Sequence, residues 1–156
     1  MHSYYHKLFL CNMTNPHKAF GISAFPVYDR VMTKVLVGED DQMLSSLMVR
    51  RLQAEGYETD AAYDGDETIK KVEEWKPDLL LLDILMPGKT GYDVLEELRK
   101  TTVHADLRVV ILSNLSAPED VERAKQYGVF DFLVKANTTP AEVADKVKSL
   151  IPPTAK

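Results

Sequence analysis

Side chains that could carry out chemistry stand at four places in this chain, each directly after a short apolar run. In chain order they are Glu39 and Asp40, Asp83, Ser113, and Lys135. Neighbouring carboxylates suit a hard cation such as Mg²⁺, which keeps several of its waters and accepts phosphate oxygens as ligands. A hydroxyl and an ammonium group beside them could bind a second, anionic oxygen. If these side chains meet, they predict phosphoryl transfer with Asp83 as the nucleophile, because carboxylates can form acyl phosphates.

The apolar runs have the composition of strands that are buried on both faces. Residues 79–82 are four consecutive leucines, and residues 109–112 read Val-Val-Ile-Leu. A half-exposed strand would alternate polar and apolar residues, whereas a strand covered by helices on both sides needs a continuous apolar run. Pro87 and Gly88 open a loop after Asp83, so a pocket can form beside its carboxylate.

Helical patterns alternate with five such strands. The strands are predicted at 34–38, 58–62, 79–82, 108–112 and 130–134, and the helices at 42–55, 65–75, 92–100, 117–127 and 140–151. Asp41 is the predicted N-cap of the first helix. Capping boxes are predicted from Ser116 and Glu119 for the fourth helix and from Thr139 and Glu142 for the fifth.

The first predicted helix has one apolar face. Its apolar positions keep i, i+3, i+4 spacing, and they are Met43, Leu44, Leu47, Met48 and Leu52. Strands joined by helices run parallel, with right-handed crossovers that place helices on both faces of the sheet. The predicted fold is therefore α/β, a doubly wound five-stranded parallel sheet with helices on both faces, flavodoxin-like. In this fold all carboxyl ends of the strands lie at one edge, where ligands gather.

Each candidate residue alone has an ordinary structural explanation. Three adjacent acids can be a solvated helix cap, a serine after a strand is commonly a loop residue, and an isolated lysine usually lies at the surface. The joint placement of all these residues at the carboxyl ends of four strands favours a functional site. Composition restricts the function classes further.

The composition is that of an ordinary globular protein of one domain. The 156 residues carry a formal net charge of −5, which provides no broad basic surface for direct nucleic-acid binding. A single cysteine, Cys11, excludes a disulfide framework and a Cys-rich zinc site and suits a reducing compartment. No stretch approaches about 18 consecutive apolar residues, so we expect no membrane span and a cytoplasmic location.

The N-terminal part differs from the remainder. Residues 1–31 carry a net charge of +2, against −7 for the other residues, and they show no helical or alternating period. The apolar residues 8–11 are too few for a signal peptide, whose apolar region needs about 7–15 residues. His2 and His6 stand at i, i+4 but lack acidic partners for a metal site. We expect a poorly ordered N-terminal extension over 1–32, a folded domain over 33–151 and a tail over 152–156.

Four segments together resemble the receiver domain of bacterial two-component response regulators, over about residues 33–151. They are Val35-Leu36-Val37-Gly38-Glu39-Asp40-Asp41, Asp83-Ile84-Leu85-Met86-Pro87-Gly88-Lys89-Thr90-Gly91, Val110-Ile111-Leu112-Ser113 and Phe132-Leu133-Val134-Lys135. The resemblance implies Mg²⁺-dependent phosphoryl transfer from a sensor histidine kinase or phosphotransfer protein to Asp83. It also implies a docking surface for a downstream protein target. The chain would then be a signalling phosphoacceptor and not an enzyme, and we expect a stand-alone receiver without an output domain.

The resemblance also assigns roles to the site residues. Asp40 would be the main acidic Mg²⁺ ligand together with Asp83, Glu39 would act on the metal through water, and the backbone carbonyl of Leu85 would be a further ligand. Ser113 would donate a hydrogen bond to the phosphoryl group. Lys135 would pair with that group, and Phe132 would be the rotating aromatic residue of the switch.

Three positions depart from the family pattern. Ala136 replaces the proline that commonly follows the lysine, and Asn114 stands where a small residue is usual. Phe132 stands where tyrosine is frequent, so a switch at this position has no phenol hydrogen bond. The main alternative is a pseudo-receiver, an interaction module that binds partners without phosphorylation.

Other phosphate-binding classes fit less well. A P-loop would require glycine at the position of Asp83. A flavodoxin-type FMN site would require a phosphate-binding loop after the first strand, where three acids stand. A haloacid-dehalogenase-type phosphatase would require Asp at the position of Leu85.

Overall fold

The computed structural model describes residues 32–154. Within this range it contains five strands, and every predicted strand is present with ends within one residue of the prediction. They are β1 (Lys34–Gly38), β2 (Glu58–Ala62), β3 (Leu79–Leu82), β4 (Arg108–Ser113) and β5 (Asp131–Val134). All pair in parallel, in the order β2-β1-β3-β4-β5. The predicted N-terminal extension, apart from its last residue, and the end of the predicted tail lie outside the described residues.

In the described part of the chain, five α-helices cover the two faces of this sheet. They are α1 (Gln42–Ala54), α2 (Gly65–Trp75), α3 (Gly91–Arg99), α4 (Pro118–Gln126) and α5 (Pro140–Leu150). Helices α2, α3 and α4 pack on one face and α1 and α5 on the other, each face with its own apolar cluster. The predicted doubly wound fold is thus confirmed. No helix among residues 32–154 is long and apolar enough to cross a membrane.

The helix caps confirm most of the sequence signals and correct one. The Asp41 side chain accepts hydrogen bonds from the amides of Met43 and Leu44 at the start of α1, and the predicted box at Thr139 forms at α5. The capping box predicted from Ser116 and Glu119 for α4 is wrong, because Ala117 is the N-cap and provides no side-chain hydrogen bond. The first turn of α4 therefore lacks a side-chain cap.

The apolar face predicted for α1 is only partly buried. Met48 and Leu52 lie in the core, with exposed fractions of 2% and 1%. Met43 and Leu47 are 77% and 50% exposed, so their assignment to the same face is wrong. The cause is helix geometry, because at 3.6 residues per turn Met43 and Leu47 lie on the side of α1 opposite to the buried residues Ser45 and Leu52.

Tyr57 connects the start of β2 to the end of α5. Its ring is buried, and its hydroxyl donates a 2.7 Å hydrogen bond to the carbonyl oxygen of Ile151. Burial, with a smaller contribution from the Glu55 charge, raises the pKa of Tyr57 to about 12. The Thr33 hydroxyl also bonds to the Pro152 carbonyl in this region, at 3.3 Å. The residues after α5 therefore lie against the amino-terminal edge of the sheet.

The raised pKa of Tyr57 predicts a loss of stability in alkali. The folded state keeps the phenol protonated above its ordinary pKa of 10.0, so this stabilisation is complete below pH 10 and is lost as pH rises towards about 12. Relative to Tyr57→Phe, the free energy of unfolding of the wild type should fall by on the order of 2 kcal/mol over this range. Urea unfolding at several pH values measures it. Parallel pH curves for the two proteins would contradict the prediction.

Candidate functional site

Sheet register brings the acidic residues together at the carboxyl edge. The last residue of β1, Gly38, pairs with Leu82 of β3, so the residues that follow these two strands are neighbours. The amide of Asp83 donates to the Gly38 carbonyl at 2.9 Å. The amide of Glu39 donates to the carbonyl of Ala62 at the same distance. These two hydrogen bonds extend the sheet by one residue and place both acids beside each other.

Three carboxylates form a compact cluster at this edge. One oxygen each of Glu39, Asp40 and Asp83 lies within 4.8 Å of the others. Glu39 and Asp83 are buried, with exposed fractions of 2% and 4%, and Asp40 is exposed. Two buried oxygen ligands and one at the surface fit a Mg²⁺ ion, because this ion keeps part of its water shell. The sequence prediction that these acids meet is confirmed.

Lys135 forms ion pairs with both buried carboxylates of this cluster. Its Nζ atom lies 2.6 Å from Glu39 Oε2 and 2.5 Å from Asp83 Oδ2, and its side chain is 11% exposed. The turn that holds it, the 3₁₀ turn Lys135–Asn137, follows β5 directly. Because two carboxylates share one ammonium group, the three side chains carry a net charge of −1 when all are ionised.

The pKa values of the shared ammonium and of one carboxyl reflect this environment. Burial raises the pKa of Glu39, although the hydrogen bond from Lys135 and its charge oppose that shift. Burial lowers the pKa of Lys135, but the hydrogen bonds and charges of Asp83 and Glu39 outweigh it, and the net result is a raised pKa. Lys135 therefore stays protonated at neutral pH and remains available to an anionic group.

Backbone amides hold the two buried carboxylates from the other side. Asp83 Oδ1 accepts a 3.0 Å hydrogen bond from the amide of Leu85. Glu39 Oε1 accepts one of 3.2 Å from the amide of Asp41. Each carboxylate thus has one oxygen fixed by the backbone and the other directed to Lys135. This arrangement restricts their rotation and leaves the site preorganised.

Ser113 and Phe132 lie near this edge without joining the ion-pair network. Ser113, the last residue of β4, is fully buried, and its Oγ atom accepts a long 3.5 Å hydrogen bond from the Leu115 amide. Within residues 32–154, the Ser113 hydroxyl forms no hydrogen bond with Asp83. Phe132 of β5 is partly buried against the cluster under α2, α3 and α4. Ser113 is positioned at the carboxyl edge of β4 as the sequence predicts.

The sequence reasoning missed the contribution of Gly91. A Cβ atom on this residue would lie 2.4 Å from the carbonyl oxygen of Asp83 and 2.8 Å from the Cα of Ile84. The Gly91 amide also donates to the Ile84 carbonyl at 2.9 Å. The glycine therefore lets the start of α3 approach the backbone of Asp83, and the only sequence signal was a glycine at the end of the loop.

Comparisons with known proteins agree with this geometry. Residues 35–148 match the family described as response regulator receiver domain. The phosphate regulon transcriptional regulatory protein PhoB of Rhizobium meliloti (strain 1021) is 33% identical over 121 residues, which covers 78% of this chain and 53% of that protein. The chain thus spans about half the length of this curated relative.

Solved structures show the same fold. A DNA-binding response regulator of the LuxR family from Staphylococcus aureus is 31% identical, with a TM-score of 0.69 over 76% of this chain and 98% of that chain. The chemotaxis protein CheY4 of Vibrio cholerae is 26% identical, with a TM-score of 0.71 over 77% of this chain and 99% of that chain. On the family match over most of its length, the chain belongs to the response regulator receiver domain family.

Proposed function

We propose that residues 33–151 are a phosphorelay receiver that accepts a phosphoryl group on Asp83 and then presents a changed surface to a downstream protein. The observation that carries the proposal is the buried pair of Glu39 and Asp83 around Lys135, with Asp40 beside it. A complete acidic set of this kind disfavours the pseudo-receiver alternative, since burying like charges without a ligand is destabilising.

In the proposed reaction a carboxylate oxygen of Asp83 attacks the phosphorus atom of a phosphohistidine. The new O–P bond forms as the P–N bond of the donor breaks, and the electron pair returns to the imidazole nitrogen, which takes a proton from water. Lys135 is already 2.5 Å from Asp83 Oδ2 and can move its contact to a transferred phosphoryl oxygen. The chain promotes this transfer, and later hydrolysis, only on its own side chain.

Mg²⁺ is the cofactor we propose for the acidic cluster. Asp40 and Asp83 would hold it directly, Glu39 through water, and the Leu85 carbonyl would complete the protein ligands. When bound, such an ion neutralises charge on the phosphoryl oxygens. Phosphoryl transfer also requires a nucleophile in a fixed position. The Leu85 amide holds the Asp83 carboxylate in place by a 3.0 Å hydrogen bond.

Incubation with Mg²⁺ and a small phosphodonor such as acetyl phosphate tests the proposal. We expect the mass to rise by one phosphoryl group, and borohydride reduction of the acyl phosphate should mark Asp83 alone. A panel of phosphorylated histidine kinases and phosphotransfer proteins then identifies the physiological donor. Phosphorylation at another residue, or at none with every donor, would contradict the assignment.

The surface around the acids indicates how a protein donor would dock. Met43 and Leu47 on α1 and Leu85 in the loop after β3 are large apolar side chains, and they are 77%, 50% and 53% exposed. All three belong to segments that begin at the carboxyl edge of the sheet, next to the carboxylates. We therefore propose that a helical surface carrying the phosphohistidine packs on these residues.

Leu47→Asp should separate protein donors from small donors. A buried charge at the interface should slow transfer from the cognate histidine-containing donor by about tenfold or more. The rate with acetyl phosphate should stay unchanged, because the acids are untouched. Val103→Asp is the matched control, since Val103 is 78% exposed but follows α3 at the opposite edge of the sheet. Equal effects of both variants would argue against docking on α1.

Ser113 and Phe132 are our proposed switch residues. Phosphorylation adds about −1 to −2 charge and new acceptor oxygens, which Ser113 can reach only if the loop after β4 moves inward. We expect Ser113→Ala to accept phosphate on Asp83 but to reduce the accompanying shift of α4, β5 and α5. Backbone amide NMR spectra with and without beryllofluoride, a phosphoryl mimic, measure this shift. Equal shifts in wild type and variant would exclude a role for the hydroxyl.

A further inference from the structure

Helix α4 has little apolar attachment of its own. Of its nine residues only Ala124 is buried, whereas α3, of the same length, buries five. Its N-cap, Ala117, provides no side-chain hydrogen bond. A short helix without a side-chain cap and with one buried side chain has only marginal stability by itself, since helix stability in proteins comes mainly from packing. The position of α4 must therefore depend on contacts from neighbouring elements.

Helix α3 supplies such contacts at both ends of α4. Near the start of α4, the Tyr92 hydroxyl donates a 3.0 Å hydrogen bond to the carbonyl of Asp120, and the Arg123 guanidinium lies 3.9 Å from the centre of the Tyr92 ring. At its end, Arg99 Nε donates to the Tyr127 carbonyl at 2.9 Å. The Tyr92 ring is 5% exposed, so its contacts are largely shielded from water.

Tyr92 also stands next to the loop that carries Asp83. It follows Gly91, whose Cα has no room for a side chain because of the Asp83 carbonyl oxygen and the Ile84 Cα. The hydrogen bond from the Gly91 amide to the Ile84 carbonyl, at 2.9 Å, closes this contact. Close-packed groups of this kind transmit displacement because they have no free space to absorb it. A shift of the Asp83 backbone must therefore move the first turn of α3 and Tyr92 with it.

We propose that Tyr92 is a positioning residue that fastens α4 to the Asp83 loop, so that a change at Asp83 moves α4 through the phenol hydrogen bond and the Arg123 contact. The proposal rests on the proposed phosphoacceptor function, which supplies the change at Asp83. It adds a route that does not pass through Ser113 or Phe132. In this chain the phenol that reaches α4 belongs to α3, while the aromatic residue of β5 is phenylalanine.

The chain offers a matched pair of variants for the test. Tyr92→Phe removes the hydrogen bond to Asp120 and keeps the ring under Arg123. Tyr57→Phe removes a bond of the same type, from a buried phenol to the Ile151 carbonyl, on the opposite face of the sheet. Both variants should lower the global free energy of unfolding by similar amounts. A difference between them in the behaviour of α4 would therefore come from the location of the lost hydrogen bond and not from general destabilisation.

The first measurement is amide hydrogen exchange in the full chain without any phosphoryl group. In Tyr92→Phe, amides 121–126 of α4 should exchange about fivefold faster relative to the amides of β3, as expected for the loss of one hydrogen bond. In Tyr57→Phe this ratio should equal that of the wild type. Unchanged α4 exchange in Tyr92→Phe would overturn the fastening of α4.

The second measurement adds beryllofluoride and Mg²⁺ and follows backbone amide shifts. In Tyr92→Phe the amides of Asp83 and Leu85 should shift as in wild type, whereas the shifts of 118–126 should fall by half or more. Tyr57→Phe should keep both sets. If the amides of α4 shift as much in Tyr92→Phe as in the wild type, the proposed transmission from Asp83 to α4 through Tyr92 is overturned. If the wild type itself takes up no beryllofluoride, the proposed function fails, and hydrogen exchange still decides whether Tyr92 fastens α4.

Discussion

Asp40→Ala should lose Mg²⁺ binding and phosphorylation while the fold survives. Asp40 is the exposed member of the acidic cluster, so its side chain bears no core packing. Mutation of a residue that only hydrogen-bonds to a metal ligand typically lowers metal affinity by about 10–100-fold. For the loss of a ligand itself we expect a decrease in Mg²⁺ affinity of about a hundredfold or more. Acetyl phosphate should then label Asp83 too slowly to detect.

The unliganded Asp40→Ala protein should be at least as stable as the wild type. Three carboxylates within 4.8 Å repel one another, and removal of one relieves that repulsion. Thermal unfolding without metal measures stability, and isothermal titration calorimetry measures Mg²⁺ affinity. Asp106→Ala is the control, because Asp106 is an exposed acid before β4, at the opposite edge of the sheet. Normal Mg²⁺-dependent phosphorylation of Asp40→Ala would refute the ligand assignment.

The placement of the acids could be predicted because the sequence pattern shows where the strands end. Runs such as 79–82 are too apolar for anything but strands covered on both faces, and each ends at a polar residue. Once the strands are parallel, their carboxyl ends share an edge whatever the details of the loops. Contacts such as that of Lys135 with Glu39 and Asp83, at 2.6 and 2.5 Å, then follow from the residue types available there.

The features that escaped prediction depend on neighbours that are distant in sequence. Helical spacing placed Met43 and Leu47 on the apolar face of α1, but the side of the helix that packs in the fold includes Ser45 and leaves these two residues at the surface. Ser116 and Glu119 have capping-box spacing, yet α4 begins at Pro118, one residue later than a cap at Ser116 would start it. The role of Gly91 arises from its approach to Asp83, eight positions earlier in the chain, and spacing alone does not reveal a close approach.

Lys135→Met should be the most destabilising change at the site in the absence of metal. Two buried carboxylates, Glu39 and Asp83, would lose the only ammonium group with which they pair in the described part of the chain. Removing one partner of a buried ion pair costs about 3–5 kcal/mol when the remaining charge stays ionised. Protonation limits this cost, because a buried carboxyl without a cation takes up a proton at a higher pH. We therefore expect about 2–4 kcal/mol at neutral pH.

The pH dependence of Lys135→Met separates this explanation from a simple packing defect. Burial already raises the pKa of Glu39 above its ordinary value of 4.5, and loss of Lys135 should raise it further. A carboxyl with a raised folded pKa contributes stability that is complete below its unfolded pKa and is lost as pH rises through the folded value. The difference in unfolding free energy between wild type and Lys135→Met should therefore be smallest at about pH 4 and grow towards pH 7.

A divalent cation should reverse much of this loss. Mg²⁺ at the acidic cluster would supply the positive charge that Lys135 provides in the wild type, so it should stabilise Lys135→Met more than the wild type. Lys146→Met is the control, since Lys146 pairs with Asp131 at 2.5 Å but both side chains are about one-third exposed. That variant should lose no more than about 1 kcal/mol and respond to Mg²⁺ like the wild type. Urea unfolding with and without Mg²⁺, at pH 4 and 7, measures the free energy of unfolding of each protein under these four conditions. A constant loss across pH and metal would mean that Lys135 contributes packing and not charge.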